Sequence, residues 1–271
     1  MSDRERLAGY VDVWWEAIDD FTRLLETLAP EDWARPTDLA GWDVHACAAH
    51  TAHLEAVLSG APEETVQFDT GPHVVSLAQA YTEQGVLARR DATPDELIGE
   101  IRESAARRRT SLLLDPPDDA ADQPPCTPGG IGWSWETLLR NRPLDVWMHE
   151  QDVRRAVGRP GGLDTAPAQH TVGYLLEGMG MVLVKRAGAA PGSTLVVCVQ
   201  GSKPAGFGVT DTGRGIPLAE PPEAPTVGLF LDRETFVVLA GGRRPADRLS
   251  LMVEGDADLA ARVLAGMAIT P

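Results

Sequence analysis

Two stretches of this chain interleave acids, imidazoles and apolar residues at helical spacing. In "NRPLDVWMHEQDVRRAVGRPGG" (141–162), Asp145 and His149 lie four residues apart and Asp152 three further on, among Leu144, Val146, Trp147 and Met148. Side chains four apart on a helix leave one face a turn from each other, so this carboxylate and imidazole converge as two ligands of one metal ion do. An i,i+4 surface pair has the same spacing. Asp152 falls where it can hold the second ring nitrogen of His149, as metal-bound imidazoles usually require. "GWDVHACAAHTAHLE" (41–55) holds His45, His50 and His53, half of the six histidines, among Ala46, Cys47, Ala49, Ala52 and Leu54. An imidazole turned into a packed bundle needs a polar partner. A third ligand from this segment would make three protein ligands with one position open. That is the arrangement of catalytic zinc, whereas structural zinc fills all four positions. Nitrogen and oxygen donors without thiolate also suit nickel or ferrous iron. His45 lies on a different side, and spacing leaves His50 and His53 tied.

Helices must position these residues. Leu7, Val11, Trp14, Ile18, Phe21 and Leu25 recur at helical period and predict a first long helix. Asp43 is a suitable N-cap for a second, running to Gly60. A further helical segment is expected from about His73 to Arg90. Thr93, Pro94 and Glu96 form a capping-box signature ahead of "LIGEIRESAARRRTSLLL". The prolines of "DPPDDAADQPPCTPGG" dictate a loop, and the Asp145 helix follows from about Trp133 to Val157. Four main helices imply a bundle. Beyond Gly162 the character changes. A helix over 167–186 precedes β-rich runs, "STLVVCVQ", "AGFGVTD" and "TVGLFLD", then a short helix capped by Asp232, and finally a strand, a turn and a closing helix. The fold expected is α+β: a helix bundle over 1–162 and a smaller α+β domain over 163–271. "GRGIPLAEPPEAP" lacks a phosphate-loop pattern and reads as a loop.

The composition excludes several classes. A formal charge of −16 over 271 residues opposes binding to a phosphate backbone, so no nucleic-acid partner is expected. The basic runs Arg107-Arg108-Arg109 and Arg154-Arg155 sit in amphipathic patterns and read as solvated helix faces. Cys47, Cys126 and Cys198 are far apart and odd in number, which gives neither a disulfide framework nor a metal knuckle. Cys47 reads as a small buried hydrophobe, Trp42 and Trp147 as core first and pocket lining second, and His73 and His170 as isolated exposed residues. With no apolar signal region and no run of ~18 apolar residues, the expectation is a soluble cytoplasmic protein that does not engage a membrane.

"GWDVHACAAHTAHLEA" and "LDVWMHEQDVRRAVGRPG" resemble two helix motifs of the mycothiol-dependent maleylpyruvate isomerase family, within the DinB-like group of metal-binding four-helix bundles. The tail "ETFVVLAGGRRPADRLSLMVEGDADLAARVLAGM" resembles that family's second domain, which is similar to sterol-carrier-protein folds. The resemblance implies His50, Asp145 and His149 as metal ligands, zinc as the metal and mycothiol as thiol cosubstrate. It also implies Arg243, beside Arg244, as a catalytic cation. The family's characterised carboxylate ligand is typically Glu, so Asp145, one methylene shorter, requires a closer approach to the metal. A thiol at an open metal position loses its proton at neutral pH and attacks an electrophilic carbon of a small metabolite. Released after bond rotation, it isomerises the substrate; retained, it makes the enzyme an S-transferase. A metal-dependent hydrolase of the same bundle and a non-catalytic binding or regulatory member are the alternatives.

Overall fold

Capping side chains mark where the helices begin and end. The computed structural model describes residues 1–67 and 72–270. The first helix, α1 (Asp3–Glu26), opens on a capping box between Ser2 and Glu5. Asp43 caps α2 (Val44–Leu58) by accepting from the Ala46 amide, and Thr93 and Glu96 box the start of α4 (Pro94–Leu114). Ser134 caps α5 (Trp135–Val157), which ends at left-handed Gly158. Each such cap stabilises its helix end by about 1 kcal/mol. Between α2 and α4 lies α3 (Leu77–Ala88), shorter than the periodicity predicts because the Ser76 side chain caps it at the Gln79 amide.

The chain divides into two units, Met1–Ala168 and Gln169–Pro271, and the division falls inside α6 (Ala166–Glu177). In the first unit α1 packs on α4 and α5, and α2 on α3, α4 and α5. Trp14, Ile18 and Phe21 of α1 meet Leu97 and Ile101 of α4 and Leu139, Val146 and Val153 of α5 in one core. Full burial of such side chains is worth roughly 1.5–3 kcal/mol each. The second helix differs from its neighbours. Apart from His45, every residue from Val44 to Val57 is buried, and six of the small ones are Ala46, Cys47, Ala48, Ala49, Ala52 and Ala56. A helix enclosed on all sides carries its polar residues inside with it, so Thr51, His50, His53 and Glu55 must find partners in the bundle.

The second unit carries a five-stranded sheet of order β3-β2-β1-β4-β5. Its strands are β1 (Thr194–Val199), β2 (Ala205–Val209), β3 (Gly215–Leu218), β4 (Val227–Leu231) and β5 (Met252–Gly255). Only the central β1–β4 pair is parallel. Asp232 caps α8 (Arg233–Ala240), and Asp256 caps α9 (Ala257–Ala265), which packs on β4 and β5. Together the units give an α+β protein. Among the described residues no helix is long and apolar enough to cross a membrane.

Four expectations are corrected. "GRGIPLAEPPEAP" is not wholly loop, since it contains β3; Pro217 is tolerated there because β3 is an edge strand. The helix expected over 167–186 breaks at Gly178, where a Cβ would lie 2.5 Å from Ile269, and continues as the short α7 (Met179–Met181) and a π-helical turn. The basic runs are not merely solvated faces. Arg108 is buried against Glu55, and Arg155 is held between Asp38 and Asp152. His73 and His170 are not isolated: His73 Nε2 lies 3.3 Å from Glu83, and the His170 ring lies 6.4 Å from that of Tyr174.

Candidate metal centre

The helical repeat of α5 turns Asp145 and His149 toward α2, where His50 faces them. His50 Nε2 lies 3.5 Å from Asp145 Oδ2, and His149 Nε2 lies 3.7 Å from Asp145 Oδ1. One ligand atom from each of the three residues falls within 4.8 Å of the others. Ligands in a tetrahedron with bonds of ~2.0–2.1 Å stand about 3.3 Å apart, so the observed spacings are close to what one small cation draws together. The imidazoles are buried, while the Asp145 side chain is 22% exposed. Glu150 and Gln151, adjacent on α5, turn elsewhere: Glu150 accepts from Arg154 Nε at 2.7 Å, and Gln151 donates to the Gly161 carbonyl at 3.2 Å.

The electrostatics suit a cation. Burial pushes the His50 ring down to about 4, against the opposing pull of Asp145, so at neutral pH it is an uncharged donor. Burial alone would raise the Asp145 carboxyl. The Arg142 guanidinium and then the two imidazoles outweigh it and hold the group well below the usual carboxylate range. Nδ1 of His50 and Nδ1 of His149 are buried without a hydrogen-bond partner. Two imidazoles beside one ionised carboxylate form a donor set that fits a divalent ion.

Around this set stand further residues, among them Glu55, Glu83 and Arg142, which sequence reasoning missed. Trp42 packs against the core and also borders the two imidazoles. Its ring lies 5.1 Å from that of His50 and 5.7 Å from that of His149, whose own rings are 4.9 Å apart. Glu83 of α3 fixes the indole by accepting from its Nε1 at 2.9 Å. Asp152 Oδ2 lies 3.4 Å from His149 Nδ1, within ion-pair reach but not aligned as a hydrogen bond, and its other oxygen accepts from Arg155. Arg142, one turn before Asp145, donates to its Oδ2 at 2.8 Å and on its other side meets Glu55 of α2. The signal for these two was a charged residue within each apolar helical run, Glu55 after "AAHTAHL" and Arg142 before "PLDVWM".

The remaining candidates lie elsewhere. His53 faces Glu64, 3.2 Å from its Nδ1, and His45 Nε2 lies 2.8 Å from the Ala92 carbonyl. Cys47 is fully buried, and Trp147 donates from its buried ring to the Gly162 carbonyl. Arg243 belongs to the second unit, where its Nη1 donates to the Gly241 carbonyl at 2.7 Å and to Thr270 Oγ1 at 3.3 Å.

Comparison with known proteins follows the same lines. Two solved structures, of the mycothiol-dependent maleylpyruvate isomerase and of a histidine-to-alanine mutant of it, resemble this chain with TM-scores of 0.57 and 0.56. Each is 18% identical, over 95% of this chain and 98% of that one, a likeness of fold. No curated protein matches in sequence. Residues 14–154, just over half of the chain and including His50, Asp145 and His149, match the family described as mycothiol maleylpyruvate isomerase N-terminal domain. The chain therefore belongs to the mycothiol-dependent maleylpyruvate isomerase family.

Proposed function

We propose that this protein is a zinc- and mycothiol-dependent isomerase or S-transferase acting on a small electrophilic metabolite, with the metal held by His50, Asp145 and His149. The observation that carries the reading is the convergence of those three ligand atoms within 4.8 Å, inside the span that matches the family. A bound divalent cation supplies Lewis acidity, favouring thiolate over thiol at neutral pH and offsetting negative charge that develops on the electrophile. His50 is kept uncharged by burial, so it offers a lone pair without first losing a proton. Asp145 is kept ionised by Arg142 and contributes the one negative charge of the set. With only three protein donors, room remains for an exchangeable ligand. Trp42 lies tilted against both imidazoles and forms an apolar wall beside them. To Arg243 we assign the role of a cation for the electrophile's negative charge, on the strength of the family resemblance.

Thermal unfolding of the zinc-loaded protein with mycothiol, with S-methylated mycothiol and with cysteine tests the reading. A rise in Tm specific to free mycothiol is expected, together with a change in the visible bands of a cobalt-substituted sample. Absence of both, in protein shown to hold metal, overturns the thiol dependence.

A further inference from the structure

Directly behind the candidate ligands lies a chain of buried charges that the reaction itself does not call for. Arg142 is 1% exposed and Glu55 fully buried. Arg142 Nη1 donates to Asp145 Oδ2 at 2.8 Å, while its Nε and Nη2 donate to Glu55 Oε1 at 3.2 and 2.8 Å. Glu55 also accepts from Trp14 Nε1 at 3.0 Å, and its Oε2 lies 3.5 Å from Arg108 Nη1. Charges this deep persist only when paired and hydrogen-bonded on several sides. The planar guanidinium fork can serve two carboxylates at once, one on α2 and one on α5. A lysine ammonium is a single point on a flexible stem and cannot reproduce that geometry.

We propose that Arg142 is a positioning residue for the metal centre, setting the Asp145 carboxylate while Glu55 locks the guanidinium from behind. The proposal rests on the reading of His50, Asp145 and His149 as metal ligands. Its physical content is threefold. Arg142 holds Asp145 through Oδ2 and so fixes where the carboxylate would meet a cation, with Oδ2 3.5 Å from His50 and Oδ1 3.7 Å from His149. Glu55 neutralises Arg142, so a cation at the ligands does not face an uncompensated positive charge. The bridge also ties α2, which carries His50, to α5, which carries Asp145 and His149, and so fixes the spacing of a set built on a short aspartate.

Zinc affinity, measured by competition with a chelating dye on folded protein, tests this in the wild type, Glu55→Gln, Arg142→Lys and the double variant. Thermal unfolding of each metal-free sample runs alongside. Glu55 does not touch the ligands, yet Glu55→Gln is expected to weaken zinc binding about 10- to 100-fold, the usual cost of losing an outer-shell partner. Arg142→Lys should weaken it comparably, and the double variant should be no worse than the weaker single, because both act through one guanidinium. Should Glu55→Gln not fold, Trp14→Phe removes one donor to Glu55 and is expected to cost about 2- to 5-fold. Wild-type zinc affinity in Glu55→Gln, or in Trp14→Phe in its stead, with only the metal-free Tm lowered, overturns the positioning role. Fully additive losses in the double variant overturn it as well. A wild-type protein that binds no zinc removes the metal centre and this proposal together, which separates the two failures.

Discussion

Arg142→Met in metal-free protein isolates the energetics of the buried charges. The substitution deletes three hydrogen bonds of 2.8, 2.8 and 3.2 Å. It leaves Glu55, fully buried, with the Trp14 indole and with Arg108 at 3.5 Å. Breaking a buried pair from one side costs about 3–5 kcal/mol, because the remaining charge stays desolvated. Arg108→Met gives the contrast. Among the described residues Arg108 meets a carboxylate at Glu55 alone, 3.5 Å away, and its Nη2 is buried without a partner. Burial pushes this guanidinium down to about 10, the mark of a cation recovering little of its desolvation. Even with the loss of its stacking over Trp14, 4.8 Å away, removal should cost no more than about 1 kcal/mol. For a unit of this size, 1 kcal/mol moves Tm by about 2–4 °C, so Arg142→Met should fall by about 6–20 °C and Arg108→Met by no more than about 4 °C. Circular dichroism melts with excess chelator read both. If Arg108→Met melts at or below the temperature of Arg142→Met, the assignment of Glu55 to Arg142 as its principal partner is refuted.

Protein purified without chelator should carry stoichiometric metal by elemental analysis; His50→Ala and His149→Ala should lose it, while His53→Ala, whose ring faces Glu64, should retain it. Metal-free protein should lose stability as pH falls from about 6.5 toward 4: the unfolded chain takes up a proton that the buried His50 ring, pushed down to about 4, refuses. At pH 5 this group should account for about 2 kcal/mol in urea denaturation, and a His50→Gln variant should lose that part of the slope. In the second unit, Gly215→Ala would place a Cβ 2.0 Å from the Gly180 carbonyl and should destabilise by about 1–3 kcal/mol, read as a lowered midpoint in the same denaturant titration.

Helix ends were legible because caps are local chemistry. Asp43, Thr93 with Glu96, and Asp232 each bond an amide a few residues away, whatever the rest of the chain does. The convergence of Asp145 with His149 was legible for the same reason, since four residues on a helix return to one face. Strand β3 was not, because an edge strand with a proline has neither the apolar run nor the alternation that marks a buried one. The buried state of Arg108 was hidden too: an arginine in a polar-looking run is placed inside by a partner fifty-three residues away in sequence.

The sequence by itself determined the bundle helices and the apolar strands, though not β3 or the break at Gly178, and that α5 presents a carboxylate and an imidazole on one face, since these follow from contacts within a few residues. Helical spacing left His50 and His53 tied, and the tertiary structure turns them to different neighbours. Three residues on a helix differ by about 60° in direction, and that turn points one ring at Asp145 and the other at Glu64. It alone paired Arg142 with Glu55, because a buried charge takes its partner from whichever helix the packing sets beside it, and local spacing carries no record of that neighbour.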